Sequence, residues 1–211
     1  MKTEQFLEAL VADQASRRQP IVRSLVRALV IGAALSLVFF LVEMGVRTDI
    51  GAALETWRFD LKVVTVLLAL VLAIGLCLDC LRPDASPHPF RRLLPLLAVV
   101  LTAIAVELAL VPLSGWKGRL VGTNSMICLS MVPILSLAPL AAILAVLRRG
   151  APASPTLAGA AAGFLAAACG ATLYAFHCFD DSPLFVATWY SLAAIPVVLI
   201  GAVAGNRLLR W

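Results

Sequence analysis

Six separate apolar runs of about 20 residues each dominate this chain, and each is long enough to cross the roughly 30 Å hydrocarbon core of a bilayer as a helix. They fall at Leu25–Val46, Leu61–Leu81, Leu93–Leu113, Met126–Leu147, Pro155–Phe176 and Leu184–Leu208. A backbone in lipid must satisfy its own hydrogen bonds, so each run is expected to be helical. Composition agrees: 62% of residues are hydrophobic and only 14% charged, with a mean hydropathy of +0.98. A soluble chain carries about 25% charged residues. The apolar surplus has no soluble core to enter, so the bilayer must be the solvent. The first run is of full span length and lacks a small-residue cleavage site after it, so no secretory signal peptide is expected. Pro133, Pro139 and Pro196 lie inside spans, where they should kink the fourth and sixth.

Basic residues orient the spans. Twelve of the 17 Lys and Arg lie on the side of the N-terminus and five (Arg47, Arg58, Lys62, Lys117, Arg119) on the other. The positive-inside rule then puts both termini in the cytoplasm of a multi-pass protein. The net charge of +5 is thus a topology signal rather than a nucleic-acid signal, and no direct nucleic-acid contact is expected. Asp180 and Asp181, with no basic residue beside them in sequence, fit the outer side. Trp57, Trp116, Tyr174, Trp189 and Tyr190 are expected to form an outer aromatic belt, with Trp211 as an inner anchor. Gly159 and Gly163, and Gly201 and Gly205, have GxxxG spacing, which favours close packing within the bundle over a dimer face. The predicted fold class is all-α. It is a bundle of six transmembrane helices (residues 25–211) behind a short cytoplasmic amphipathic helix (residues 1–24).

In that leading segment, Phe6, Leu7, Leu10 and Val11 form one apolar stripe, with Glu4, Glu8, Asp13 and Gln14 elsewhere. Thr3 can cap the helix, and Pro20 is expected to interrupt it before the membrane. So short a helix is marginal alone and needs a partner or the lipid surface. Interfacial helices favour Lys and Arg on the polar face. An acidic amphipathic helix better suits docking in a partner protein's groove.

Chemistry concentrates at the outer ends. The stretch YAFHCFDDSPLFVATWY, Tyr174–Tyr190, packs His177, Cys178, Asp180 and Asp181 between two spans. Cys128 begins the fourth span, so both thiols are expected at the outer surface, where disulfides persist. They bridge only if the fourth and fifth spans are neighbours and their Cα atoms come within about 7 Å. With His177 beside Cys178 and Met131 one turn from Cys128, the set also suits a transient soft metal such as copper or zinc. Cys77 and Cys80 form a CxxC without thioredoxin context or a second ligand pair, so packing is the simpler reading. Cys169 reads as packing too. Glu43 and Glu107 near span ends need partners such as Arg47 or Arg119. No phosphate loop, nucleophile elbow or zinc-protease motif occurs. A small inner-membrane metal or ion permease is the alternative class, although the polar mid-membrane path it needs is not evident.

Three segments carry a resemblance: Tyr174–Tyr190 with the terminal GAVAGNRLLRW, the stretch WKGRLVGTNSMIC ending at Cys128, and LRRGAP at Leu147–Pro152. Over essentially the whole chain they resemble the NrsF-type anti-sigma factors, negative regulators of sigma factor F and six-span bacterial inner-membrane proteins. The resemblance implies a regulator, not an enzyme, that holds an extracytoplasmic-function sigma factor at the membrane. It also implies release under heavy-metal or oxidative stress sensed through two periplasmic cysteines, here Cys128 and Cys178. Cys77, Cys80 and Cys169 have no counterpart role.

Overall fold

The computed structural model describes residues 3–81, 88–150 and 152–209, with side chains from residue 22 onward. Its helices are α1 (Thr3–Glu43), α2 (Ile50–Ala53), α3 (Trp57–Cys80), α4 (Leu94–Leu110), α5 (Leu113–Val121), α6 (Ser125–Leu147), α7 (Pro155–Ala175), α8 (Pro183–Phe185) and α9 (Ser191–Leu208). A 3-10 turn, Pro89–Leu93, leads into α4, and a π-helical turn, Val186–Tyr190, joins α8 to α9. No strand occurs among the described residues. Six helical stretches are long and apolar enough to cross a membrane: Val22–Glu43, Trp57–Cys80, Pro89–Leu110, Leu113–Leu147, Pro155–Ala175 and Pro183–Leu208. They coincide with the six predicted spans to within a few residues, except that α5 joins the fourth.

The first helix departs from expectation at Pro20. The helix does not stop there; α1 runs unbroken from Thr3 into the first span. A proline removes one backbone hydrogen bond, but the span already supplies a nucleated helix, and propagation is far easier than nucleation. Phe6, Leu7, Leu10 and Val11 therefore lie on a direct extension of the first span, and their side chains lie outside the described ones.

Helix α7 is the hub, packing against α9, α6 and α3, while α1 packs along α6. Its Ala and Gly content explains this, since small side chains let backbones touch. A Cβ placed on Gly159 would strike the Gly201 carbonyl, and one on Gly205 would strike backbone of Pro155 and Gly159. The GxxxG faces are thus used within the bundle. Pro139 deprives the Leu135 carbonyl of its helical donor. Ser36 of α1 replaces that donor from the neighbouring helix, with its hydroxyl 2.7 Å from Leu135 O. A Cβ on Gly32, one turn before Ser36, would meet the Pro139 backbone, so the repair lies beside a close helix crossing.

The interior divides into two clusters. One gathers Leu25, Leu76, Cys77, Cys80, Ile143, Leu147, Leu165 and Leu209 towards the end that carries the chain termini. The second gathers Phe40, Val66, Cys128, Val132, Tyr174, Cys178, Phe185 and Tyr190 towards the other end. Tyr174 and Tyr190 are therefore not belt residues: both are buried in the second cluster. Trp57 is exposed as expected. Cys77, Cys80 and Cys169 are buried, in keeping with packing.

Candidate functional site

Cys128 sits on the first turn of α6, its N–H donating to Asn124 O at 2.8 Å. Cys178 follows the last turn of α7, its N–H donating to Tyr174 O at 3.0 Å. Because α6 packs along α7, the two thiols enter the same cluster, so the fourth and fifth spans are neighbours as a bridge would require. Both are free thiols, and neither has exposed surface, so they lie beneath the surface rather than on it. Burial pushes the Cys178 thiol above its ordinary range, while the positive charge of Lys62 opposes the rise.

The Cys178 segment is clamped by two buried cations. Arg47 Nη1 and Lys62 Nζ both donate to the Cys178 carbonyl, at 3.1 Å and 2.8 Å. Both also pair with the Asp181 carboxylate, Arg47 at 2.8 Å. Arg47 Nε reaches Asp49 at 2.7 Å, and the Arg47 N–H donates to Phe176 O at 3.0 Å. His177 Nδ1 meets Gly45 O at 3.0 Å. The Asp49 and Asp181 carboxylates hold the Arg47 guanidinium more firmly protonated against the effect of its burial, and Arg47 lowers the Asp49 carboxyl. Buried ions persist only when paired and hydrogen-bonded, which this network achieves.

Asp180 ties the same segment to the helix of the other thiol. Its Oδ2 accepts from Thr123 N at 2.9 Å, Asn124 N at 2.7 Å and Asn124 Nδ2 at 3.0 Å, so an acidic side chain meets the start of α6. Gly122 makes room, with φ of 59° and a hypothetical Cβ that would strike Asp180. Tyr174 OH also donates to Asn124 O, at 3.3 Å. Nearby, fully buried Glu107 is met by Arg58 at 3.0 Å, Arg119 at 3.2 Å and the Ser182 hydroxyl at 3.4 Å.

The metal-ligand set is only partly assembled. Met131 packs against the thiol cluster, but His177 Nδ1 is turned to Gly45. No group of three or more His, Cys, Asp and Glu that could hold a metal occurs among the described residues. What the site holds is two buried free thiols in one cluster.

The family described as the negative regulators of sigma F matches residues 10–211. The chain belongs to the NrsF family. Over the full length of both chains it is 34% identical to the anti-sigma-F factor NrsF of Caulobacter vibrioides. It is 30% identical, again over both full lengths, to the probable anti-sigma-F factor NrsF of Azospira oryzae. These relatives are named as regulators, and the NrsF family is not one of enzymes. No solved structure matches the chain.

Several contacts of this NrsF-family site escape a linear reading. Arg119 was an expected partner of Glu107, but Arg58 was not. Arg47 turns to Asp49 and Asp181 rather than to Glu43. Lys62 and Asp181 lie far apart in sequence, and Tyr190 read as a belt residue. For Lys62 a signal existed: a cation within a span is expensive, so it demands a named partner.

Proposed function

We propose that this NrsF-family chain is an inner-membrane anti-sigma factor with both termini in the cytoplasm. It holds an extracytoplasmic-function sigma factor of the sigma-F type on Phe6, Leu7, Leu10 and Val11 and releases it when Cys128 and Cys178 react in the periplasm. The observation that carries this reading is the meeting of two thiols, about 50 residues apart, in one buried cluster. The backbone of one thiol is gripped by Arg47 and Lys62 at the ends of the first two spans. The basic-residue asymmetry and the family's regulatory role support the orientation and the partner.

Two signals suit the pair. A periplasmic oxidant takes two electrons from the thiols, two protons leave, and a disulfide forms. A soft ion such as copper or zinc instead displaces the two protons and binds both thiolates. Either event moves sulfurs that are now close-packed and pulls on the Cys178 carbonyl. The strain reaches Arg47, four residues past α1, and α1 runs without a break to the N-terminal stripe. Moving a partner from mostly bound to mostly free takes about 5 kcal/mol of differential stability. A disulfide supplies about 2–4 kcal/mol, and strong thiolate–metal binding more.

The permease alternative needs a mid-membrane cavity lined by polar groups. The cavity between α3, α4, α7 and α9, of about 110 Å³, is lined by alanines and other apolar residues with Thr65, Tyr190 and Ser191. A direct test uses the full chain in inside-out vesicles with a sigma factor of the sigma-F type. Vesicles should capture the factor, Leu10→Asp should abolish capture, and zinc, copper or peroxide at the thiol face should release it. Capture that persists under all three agents contradicts the reading.

A further inference from the structure

Among the described residues, the Tyr190 hydroxyl is the one buried side-chain nitrogen or oxygen without a hydrogen-bond partner. Such orphans are rare, because a desolvated polar group with no partner is destabilising. Tyr190 is 7% exposed and ends the π-helical turn Val186–Tyr190. Turns of this kind recur at functional sites.

The surroundings of this hydroxyl are chemically specific. The Tyr190 ring lies 5.8 Å from that of Tyr174, in the cluster that holds both thiols. Phe185, of the same cluster, stands nearly perpendicular to the Tyr190 ring with the centroids 6.5 Å apart. Lys62 and Arg47 both grip the Cys178 carbonyl, at 2.8 Å and 3.1 Å. Two neighbours are already engaged: Tyr174 OH donates to Asn124 O, and Cys178 Sγ donates to Asp180 O at 3.7 Å.

We propose that the Tyr190 hydroxyl is the donor reserved for the thiolate of this site, without an acceptor while both sulfurs are thiols and gaining one when either loses its proton. A neutral thiol is a weak acceptor, whereas a thiolate accepts strong, charge-assisted bonds. On deprotonation Cys178 gives its proton to solvent and stops donating to Asp180 O. The phenol keeps its own proton and points it at the sulfur. Tyr190 is then a positioning residue that sets how readily the pair meets an oxidant or a soft cation. The inference rests on the thiol-sensing reading and deepens it.

The experiment follows carbamidomethylation of Cys128 and Cys178 by iodoacetamide in the full-length protein in detergent, between about pH 7 and pH 11, resolved by peptide mass. In Tyr190→Phe the reaction should slow about tenfold below its pH midpoint, and the midpoint should rise by about one unit. Thermal stability of the untreated protein should hold or increase, because the orphan hydroxyl is gone. Incorporation of 3-fluorotyrosine at position 190, a stronger donor of nearly the same shape, should speed the reaction. Wild-type rates and midpoint in Tyr190→Phe overturn the proposal. If that variant loses stability, failure of the fluorinated protein to react faster overturns it. Loss of signalling in cysteine variants alongside unchanged Tyr190→Phe chemistry would sink this inference alone. Normal signalling in the cysteine variants would sink the sensing reading instead.

Discussion

Lys62 donates to the carbonyl of Cys178 at 2.8 Å from a side chain with no exposed surface. A cation at the start of the second span thus fixes the backbone of a thiol 116 residues away. Its charge is balanced by Asp181, which Arg47 shares. Removing one partner of such a buried pair leaves an uncompensated charge. Lys62→Met is therefore expected to destabilise the protein by about 3–5 kcal/mol. The double variant with Asp181→Asn should lose clearly less than the sum of the two single changes. Unfolding by denaturing detergent measures all three.

Glycine substitutions should separate close helix crossings from open positions. Gly201→Ala places a methyl against the backbone of Gly159 and Gly163, and is expected to cost about 1–3 kcal/mol as overpacking. Gly51→Ala meets nothing within 4 Å and should stay within about 0.5 kcal/mol of the parent. The same unfolding measurement distinguishes them.

Ser36→Ala removes the hydroxyl that supplies the Leu135 carbonyl in place of the missing Pro139 N–H. A loss of about 1 kcal/mol is expected, typical of interhelical hydrogen bonds in membranes. In a Pro139→Ala background the helix provides its own donor, so the Ser36→Ala cost should shrink. An equal cost in both backgrounds would contradict the repair.

Burial raises the Cys178 thiol, so the folded state holds this proton more tightly than the unfolded chain does. The stabilisation is complete below the unfolded value of about 8.5 and is lost as pH climbs from there through the folded value. Stability should therefore fall in alkali, and a Cys178→Ala variant should fall less over the same window. Thermal unfolding at stepped pH tests the sign.

The six spans were legible because lipid leaves the backbone no other choice, and the shared end of Cys128 and Cys178 because topology placed both residues there. What a linear reading misses is direction around a helix axis. Tyr174 and Tyr190 have the composition of an interface belt, yet their side chains turn inward against Cys128 and Cys178. In an apolar span no polar stripe marks the inner face, so periodicity is silent. Lys62 and Asp181 pair across the fold, which sequence distance hides. Pro20 misled in the opposite sense: a local rule predicted a break that an adjoining long helix overrode.

The most direct measurement is output from a reporter dependent on the sigma-F-type factor, in cells carrying Cys128→Ser or Cys178→Ser. Both variants should keep basal repression and lose induction by heavy metals and by oxidants. Normal induction by both classes of signal in both variants would contradict the account.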